Sequence, residues 1–160
     1  PGSRILSADD GGMMAQIRVE RAAFDLGAEL AAFEAGLGAA GAIVSFTGVV
    51  RDEGGRLAAM EIEHYPGMTE RAITGIVQEA QARWNLADCL VIHRFGALVP
   101  GERIMMVATA ALHRRAAFDA ADYLMDYLKS RAPFWKKEIG AGGAAWVAAR
   151  EEDEAALSRW

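Results

Sequence analysis

Between its helical stretches this chain carries β-rich runs in pairs, and that order limits its fold more than any other feature. Residues 14–20 alternate apolar and polar side chains as a strand does, and residues 27–37 place Leu30, Phe33 and Leu37 at helical spacing. Residues 41–51 (GAIVSFTGVVR) and 56–65 (RLAAMEIEHY) then read as two strands. Pro66-Gly67-Met68-Thr69-Glu70 opens a helix, which Ala72, Ile73, Ile76, Val77, Ala80 and Trp84 continue with a 3.6-residue period. Residues 90–95 and 103–110 form the next pair, and residues 113–132 the longest helix, stopped by Pro133. Residues 134–139 and 144–149 make a last pair before a polar tail with helical character. Strict alternation of strand and helix would demand a parallel sheet. Paired strands instead predict an α+β fold with a mixed, largely antiparallel sheet and three main helices.

The connections carry their own expectations. Asp52-Glu53-Gly54-Gly55, between two β-rich runs, predicts a hairpin with a flexible tip. Val99-Pro100-Gly101-Glu102 predicts a type II turn, because proline presets the first central residue and glycine accepts the positive φ of the second. On the longest helix, Ala117, Phe118, Ala121, Leu124, Met125 and Leu128 fall within an arc of roughly 120°, which predicts the face turned to the core. Lys129 lies at the edge of that arc, so its stem is expected along apolar surface with the amine emerging beside it.

Composition excludes several classes of function. With 160 residues, 52% hydrophobic and 24% charged, residues 13–160 are expected to form a single domain with a sizeable core. Pro1-Gly2-Ser3 reads as a cloning scar, so residues 1–12 are set aside as a tag remnant or disordered N-terminus. A net charge of -5 argues against nucleic acid or an anionic membrane as the main partner. No apolar run approaches the roughly 20 residues of a membrane span, and no signal peptide opens the chain, so the expected compartment is the cytoplasm. Cys89 is the single cysteine, which rules out a disulfide within one chain; flanked by Leu90, Val91 and Ile92, it reads as a small core residue.

The candidates for chemistry are cations. His64, His93 and His113 are scattered without the spacing of a zinc site, and residues 140–143 lack the lysine and helix of a phosphate loop. Neither Ser45 nor Ser130 sits in a nucleophile elbow, and no metal or cofactor is expected. What remains is Arg51 at a strand exit, His113, Arg114 and Arg115 at a helix start, Lys129 at that helix's end, and Lys136 and Lys137 beyond it. Cations at a helix N-terminus oppose the macrodipole. The cluster there reads either as a solvated turn or as a place that meets an anion such as phosphate. Lys129 reads either as a residue complementing the helix C-terminus or as a reactive amine beside apolar surface.

Phe46-Thr-Gly-Val-Val-Arg51, Glu63-His-Tyr-Pro-Gly-Met68, Val91-Ile-His-Arg-Phe-Gly96, Pro100-Gly101, His113-Arg114 and Met125-Asp-Tyr-Leu-Lys-Ser-Arg-Ala-Pro-Phe-Trp-Lys-Lys-Glu138 closely resemble, in order and spacing, the large catalytic subunit of molybdopterin synthase, the MoaE family. The resemblance runs from residue 14 to residue 160. It implies an α/β hammerhead-type fold, a homodimer, and a heterotetramer with two copies of a small ubiquitin-like sulfur-carrier subunit. It also implies the reaction, in which cyclic pyranopterin monophosphate receives two sulfurs from a thiocarboxylate on the carrier's C-terminal glycine. Carried over residue by residue, Lys129 and Lys136 match the catalytic lysines. Val49, Val50, Arg51, His113, Arg114, Lys137, Glu138 and Arg150 match substrate-binding positions, and Phe46 and Met125 line the pocket. Val49 stands where some members have lysine, and Arg115 where some have a small residue.

Helix geometry adds a condition. If residues 113–129 form one helix, His113 and Lys129 are about 24 Å apart along it and roughly 160° apart around it. A pterin about half that long cannot reach both, which predicts a site composed across the homodimer. Two readings from other classes stay open: a non-catalytic module binding a ubiquitin-like tail or phosphorylated ligand, and an oligomerisation domain packing through Phe134 and Trp135.

Overall fold

Two strands whose side chains are apolar on both faces organise the molecule. In the computed structural model, which describes residues 3–6, 14–52 and 54–160, β1 (Ser3–Leu6), β2 (Met14–Glu20), β3 (Ala42–Val49), β5 (Asp88–Arg94) and β7 (Arg103–Ala111) form one sheet in the order β1-β2-β5-β7-β3. β5 and β7 lie at its centre and are buried almost end to end. Leu90, Ile92, Met106, Ala108 and Ala110 meet Phe24 and Phe33 of the α1 region (α1, Leu26–Ala35). Cys89, Val91, Met105 and Val107, on the alternate positions, meet α2 (Met68–Trp84) and α3 (Arg114–Arg131). Helices on both faces are what turn these strands into near-continuous apolar runs.

The second sheet, in the order β6-β4-β8-β9, comprises β4 (Leu57–His64), β6 (Gly96–Leu98), β8 (Phe134–Gly140) and β9 (Gly143–Trp146). A short α4 (Glu151–Ala156) and a 3-10 turn (Leu157–Arg159) close the described chain. Among the described pairings β2–β5 alone is parallel, so the expected α+β class with mixed, largely antiparallel pairing holds. Residues 3–6, which showed no strand period, add an edge strand antiparallel to β2.

Several local expectations change. β3 and β4 do not form a hairpin: β3 pairs with β7 and β4 with β6 and β8, in different sheets. After a bulge at Gly48 and Val49, Val50 donates its N–H to Glu102 O (2.9 Å) and accepts from Gly101 N–H (2.9 Å), which ties the departing chain to the neighbouring turn. The carboxylate of Asp52 then accepts from the N–H groups of Arg56 (3.0 Å) and Leu57 (2.9 Å), bending the chain into the second sheet.

The Pro100-Gly101 turn forms as expected, with Gly101 at φ 89° and Glu102 N–H bonded to Val99 O at 3.1 Å. The short β6 before it had no sequence signal. On α3 the buried residues are Ala117, Ala120, Ala121, Tyr123, Leu124 and Leu128. Phe118 is exposed. The core face is therefore rotated from the expected arc toward Ala120 and Tyr123.

Candidate functional site

α3 ends at Arg131, two residues before Pro133, and β8 starts immediately after that proline, so Lys129 in the last helical turn and Lys136 in the strand are carried to the same place. β8 is an inner strand. β4 lies on one side, with Ile62 opposite Lys136, and on the other Val147 N–H bonds to Lys136 O at 2.7 Å. Alternation puts Lys136 on the face of Phe134, whose ring stacks on the buried His93 at 3.7 Å between centroids and 15° between planes. Burial is the largest force pushing the Lys136 amine below its ordinary value; Lys129 and then Arg150 push the same way, and Asp153 opposes them.

The tail brings in those last two charges. β8 and β9 are joined by a tight turn in which Gly143 has φ 107°, and residues 147–150 lead from β9 to Arg150 at the N-cap of α4. One turn on, Asp153 holds Lys129 in an ion pair, Oδ1 to Nζ 3.8 Å. α4 is clamped onto α3: Ser130 Oγ donates to Asp153 O (2.9 Å), Arg131 pairs with Glu154 (2.8 Å), and Arg159 pairs with Asp122 (3.0 Å). Trp160 Nε1 donates to Asp126 (2.6 Å), and its ring stands edge-on to Trp84 and Tyr123, each 5.6 Å away.

Not every expected residue joins this cluster. Lys137 turns to the other face of β8, its ammonium 4.7 Å from the ring centre of Trp146. Glu138 is exposed on the Lys136 face, and Met125 is half-buried against the core. Phe46 is 43% exposed on the edge strand β3. Val49 is exposed and lines a cleft of about 430 Å³ with Phe24, Arg94, Glu102 and Arg103. Val50, by contrast, is 2% exposed with its N–H and C=O both paired, so it anchors Arg51, which is exposed, and its side chain meets no solvent.

His113 and Arg114 sit exposed at the opposite end of α3, with His113 at the N-cap making no side-chain capping bond. The helix between is uninterrupted, so the separation of about 24 Å from Lys129 stands.

Asp153 and His93 were missed as site residues. Nothing local marks Asp153 among the neighbouring acids of a polar tail. His93 Nδ1 is 2.8 Å from the carbonyl of Arg94, which assigns the proton to Nδ1, and burial drives its pKa down to about 3. Among the described residues no group of three His, Cys, Asp or Glu side chains could hold a metal ion.

The family model described as MoaE protein matches residues 19–131. The chain belongs to the MoaE family. It is 66% identical over 145 residues to the molybdopterin synthase catalytic subunit of Cereibacter sphaeroides, covering 91% of this chain and 99% of that relative. To the molybdopterin synthase catalytic subunit of Pseudomonas aeruginosa it is 53% identical over 146 residues, covering 90% of this chain and 97% of the relative. The solved MoaE protein of Burkholderia ambifaria superposes with a TM-score of 0.80 at 51% identity, over 92% of this chain and 98% of that one. Molybdopterin synthase from Staphylococcus aureus gives 0.73 at 26% identity, over 82% and 96%. MoaE structures thus share this two-sheet α+β architecture.

Proposed function

We propose that the chain is the catalytic subunit of a molybdopterin synthase, a sulfurtransferase of molybdenum cofactor biosynthesis acting in the cytoplasm. It moves two sulfurs to cyclic pyranopterin monophosphate, one from each of two thiocarboxylated C-terminal glycines of a small ubiquitin-like carrier. The observation that carries this reading is the convergence of Lys129 and Lys136 at the junction of α3 and β8 in a MoaE chain. The thiocarboxylate sulfur attacks a side-chain carbon of the pterin and an activated oxygen leaves; water then cleaves the resulting thioester, freeing the carrier's carboxylate and leaving sulfur on the pterin. Lys136, destabilised as a cation by burial and by Lys129, gives up its proton more readily than an ordinary lysine and so suits proton transfer, and Lys129 suits holding the anionic tail and the departing oxygen. Arg150 on the tail and Glu138 on the Lys136 face of β8 flank the lysines and Lys137 serves from the other face of the strand, while Arg51 of the same chain and His113 and Arg114 of a second copy hold the phosphate.

The span of α3 supports a site shared between two protomers, His113 and Arg114 of one serving the lysines of the other. Exposed Ile43, Phe46, Leu112 and Phe118, on the edge strand β3 and around the start of α3, support pairing with a second copy, and two carriers complete a heterotetramer. The test is direct: incubation with thiocarboxylated carrier and cyclic pyranopterin monophosphate yields a dithiolene product. Carrier binding without product would make the chain a docking module instead.

A further inference from the structure

α4 opens with four acids, and three of them, Glu151, Glu152 and Glu154, are exposed where they complement the helix N-terminus. Asp153 is the one of the four turned inward, its side chain 30% exposed against Lys129. Its backbone is fixed from two sides, the N–H bonded to Arg150 O (3.1 Å) and the C=O accepting from Ser130 Oγ of α3 (2.9 Å). Ion pairs of Arg131 with Glu154 and of Arg159 with Asp122, and the Trp160 indole on Asp126, lock the same segment down. A carboxylate needed only by its own helix has no use for such anchoring to another element.

We propose that Asp153 is a positioning residue for sulfur transfer: its carboxylate fixes Lys129 by an ion pair and balances the positive charge that Lys129, Lys136 and Arg150 together place at the site. The proposal rests on the reading of the two lysines as the reacting pair. The groups facing Lys136 are Lys129 from α3, Arg150 and Asp153 from the tail, and His93 from β5, which burial keeps neutral. Of these, Asp153 favours the Lys136 ammonium, so removing its charge makes Lys136 release its proton at lower pH. Lys129, without its counter-ion, loses its fixed geometry.

Profiles of kcat/KM against pH for the parent chain, Asp153→Asn and Asp153→Glu, with thiocarboxylated carrier in excess, test this. Asp153→Asn is expected to move the limb that reports Lys136 toward acid by about half a pH unit or more. It is also expected to lower kcat about tenfold with KM for the pterin little changed. Asp153→Glu restores the limb and most of the rate. Asparagine and parent profiles that superimpose after scaling would reduce Asp153 to a structural role and overturn the proposal. A readout free of substrate is the NMR titration of the Lys136 side chain, assigned by its loss in Lys136→Met, where Asp153→Asn should produce the same acid shift. Product from the parent chain with neither limb nor signal moved removes the role of Asp153 alone. No product from the parent chain removes the sulfur-transfer reading and the role with it.

Discussion

A half-buried amine beside other cations works against the fold that holds it. Because the Lys136 amine lies below its ordinary value of 10.5 in the folded chain, the unfolded chain binds more protons between the two values. The penalty is complete below the folded value and fades as pH rises toward the ordinary one. Lys136→Met should therefore lower turnover at least about 100-fold while raising stability at pH 7, with a gain that shrinks by pH 9.5. Urea unfolding at the two pH values checks this, and a gain independent of pH would contradict it.

His93 titrates with the same sign in the acid range. Its folded pKa of about 3 lies below the ordinary 6.5, so its contribution is intact above 6.5 and is lost as pH falls toward 3. One proton gives a slope of at most about 1.4 kcal/mol per pH unit. His93→Phe keeps a ring against Phe134 but loses the bond to the Arg94 carbonyl, at a cost of about 1 kcal/mol at pH 7. Its deficit should narrow between pH 6.5 and pH 4; parallel stability curves would count against this account. The cations of the candidate site stand out in the sequence beside a broken helix end, and the family resemblance supplied the roles proposed for the lysines. Their environment was not legible, since Lys136 lies on an inner strand whose neighbours are β4 and the chain at residue 147, and its counter-charge comes from a tail acid that looks like its neighbours.

At the scale of elements, long periodic segments could be read and their partners could not. α2 and α3 announced themselves by period, with an opening signal at Pro66-Gly67 for the one and a stop at Pro133 for the other, whereas Asp52-Glu53-Gly54-Gly55 has the local chemistry of a hairpin whether or not its flanking strands pair. What separates them is register with β7 and β8, some sixty and seventy-five residues further on, together with the Asp52 carboxylate that redirects the chain. Asp52→Ala should cost about 1–2 kcal/mol through two unpaired N–H groups, measured by chemical unfolding. β6, three residues long, is too short to carry a period. The tail clamp makes the opposite kind of prediction. Trp160→Ala removes two edge-on ring contacts and the bond to Asp126, so it should cost about 2 kcal/mol and depress kcat, because α4 carries Asp153. Full activity in that variant would show that the site does not need α4 docked.

For the whole molecule, the uninterrupted α3 sets the logic of assembly. A single chain holds the two lysines at one end of that helix and His113 with Arg114 at the other. Mixing inert His113→Ala and Lys129→Ala chains under conditions of subunit exchange should then recover activity, up to about a quarter of the parent's on a statistical mixture with one intact site per hybrid. No recovery despite demonstrated exchange would place the whole site in one chain.

The pairing of β2 with β5 has a consequence for how the molecule is made. Met14 lies opposite Asp88 and Glu20 opposite Arg94, so this parallel ladder joins segments more than seventy residues apart. Loops of that length are slow to close, and no local turn can preform the contact. On a ribosome β2 has β1 along one edge, but its other edge stays open while α1, β3, β4 and α2 are synthesised, so the early chain carries an unpaired strand edge until β5 emerges.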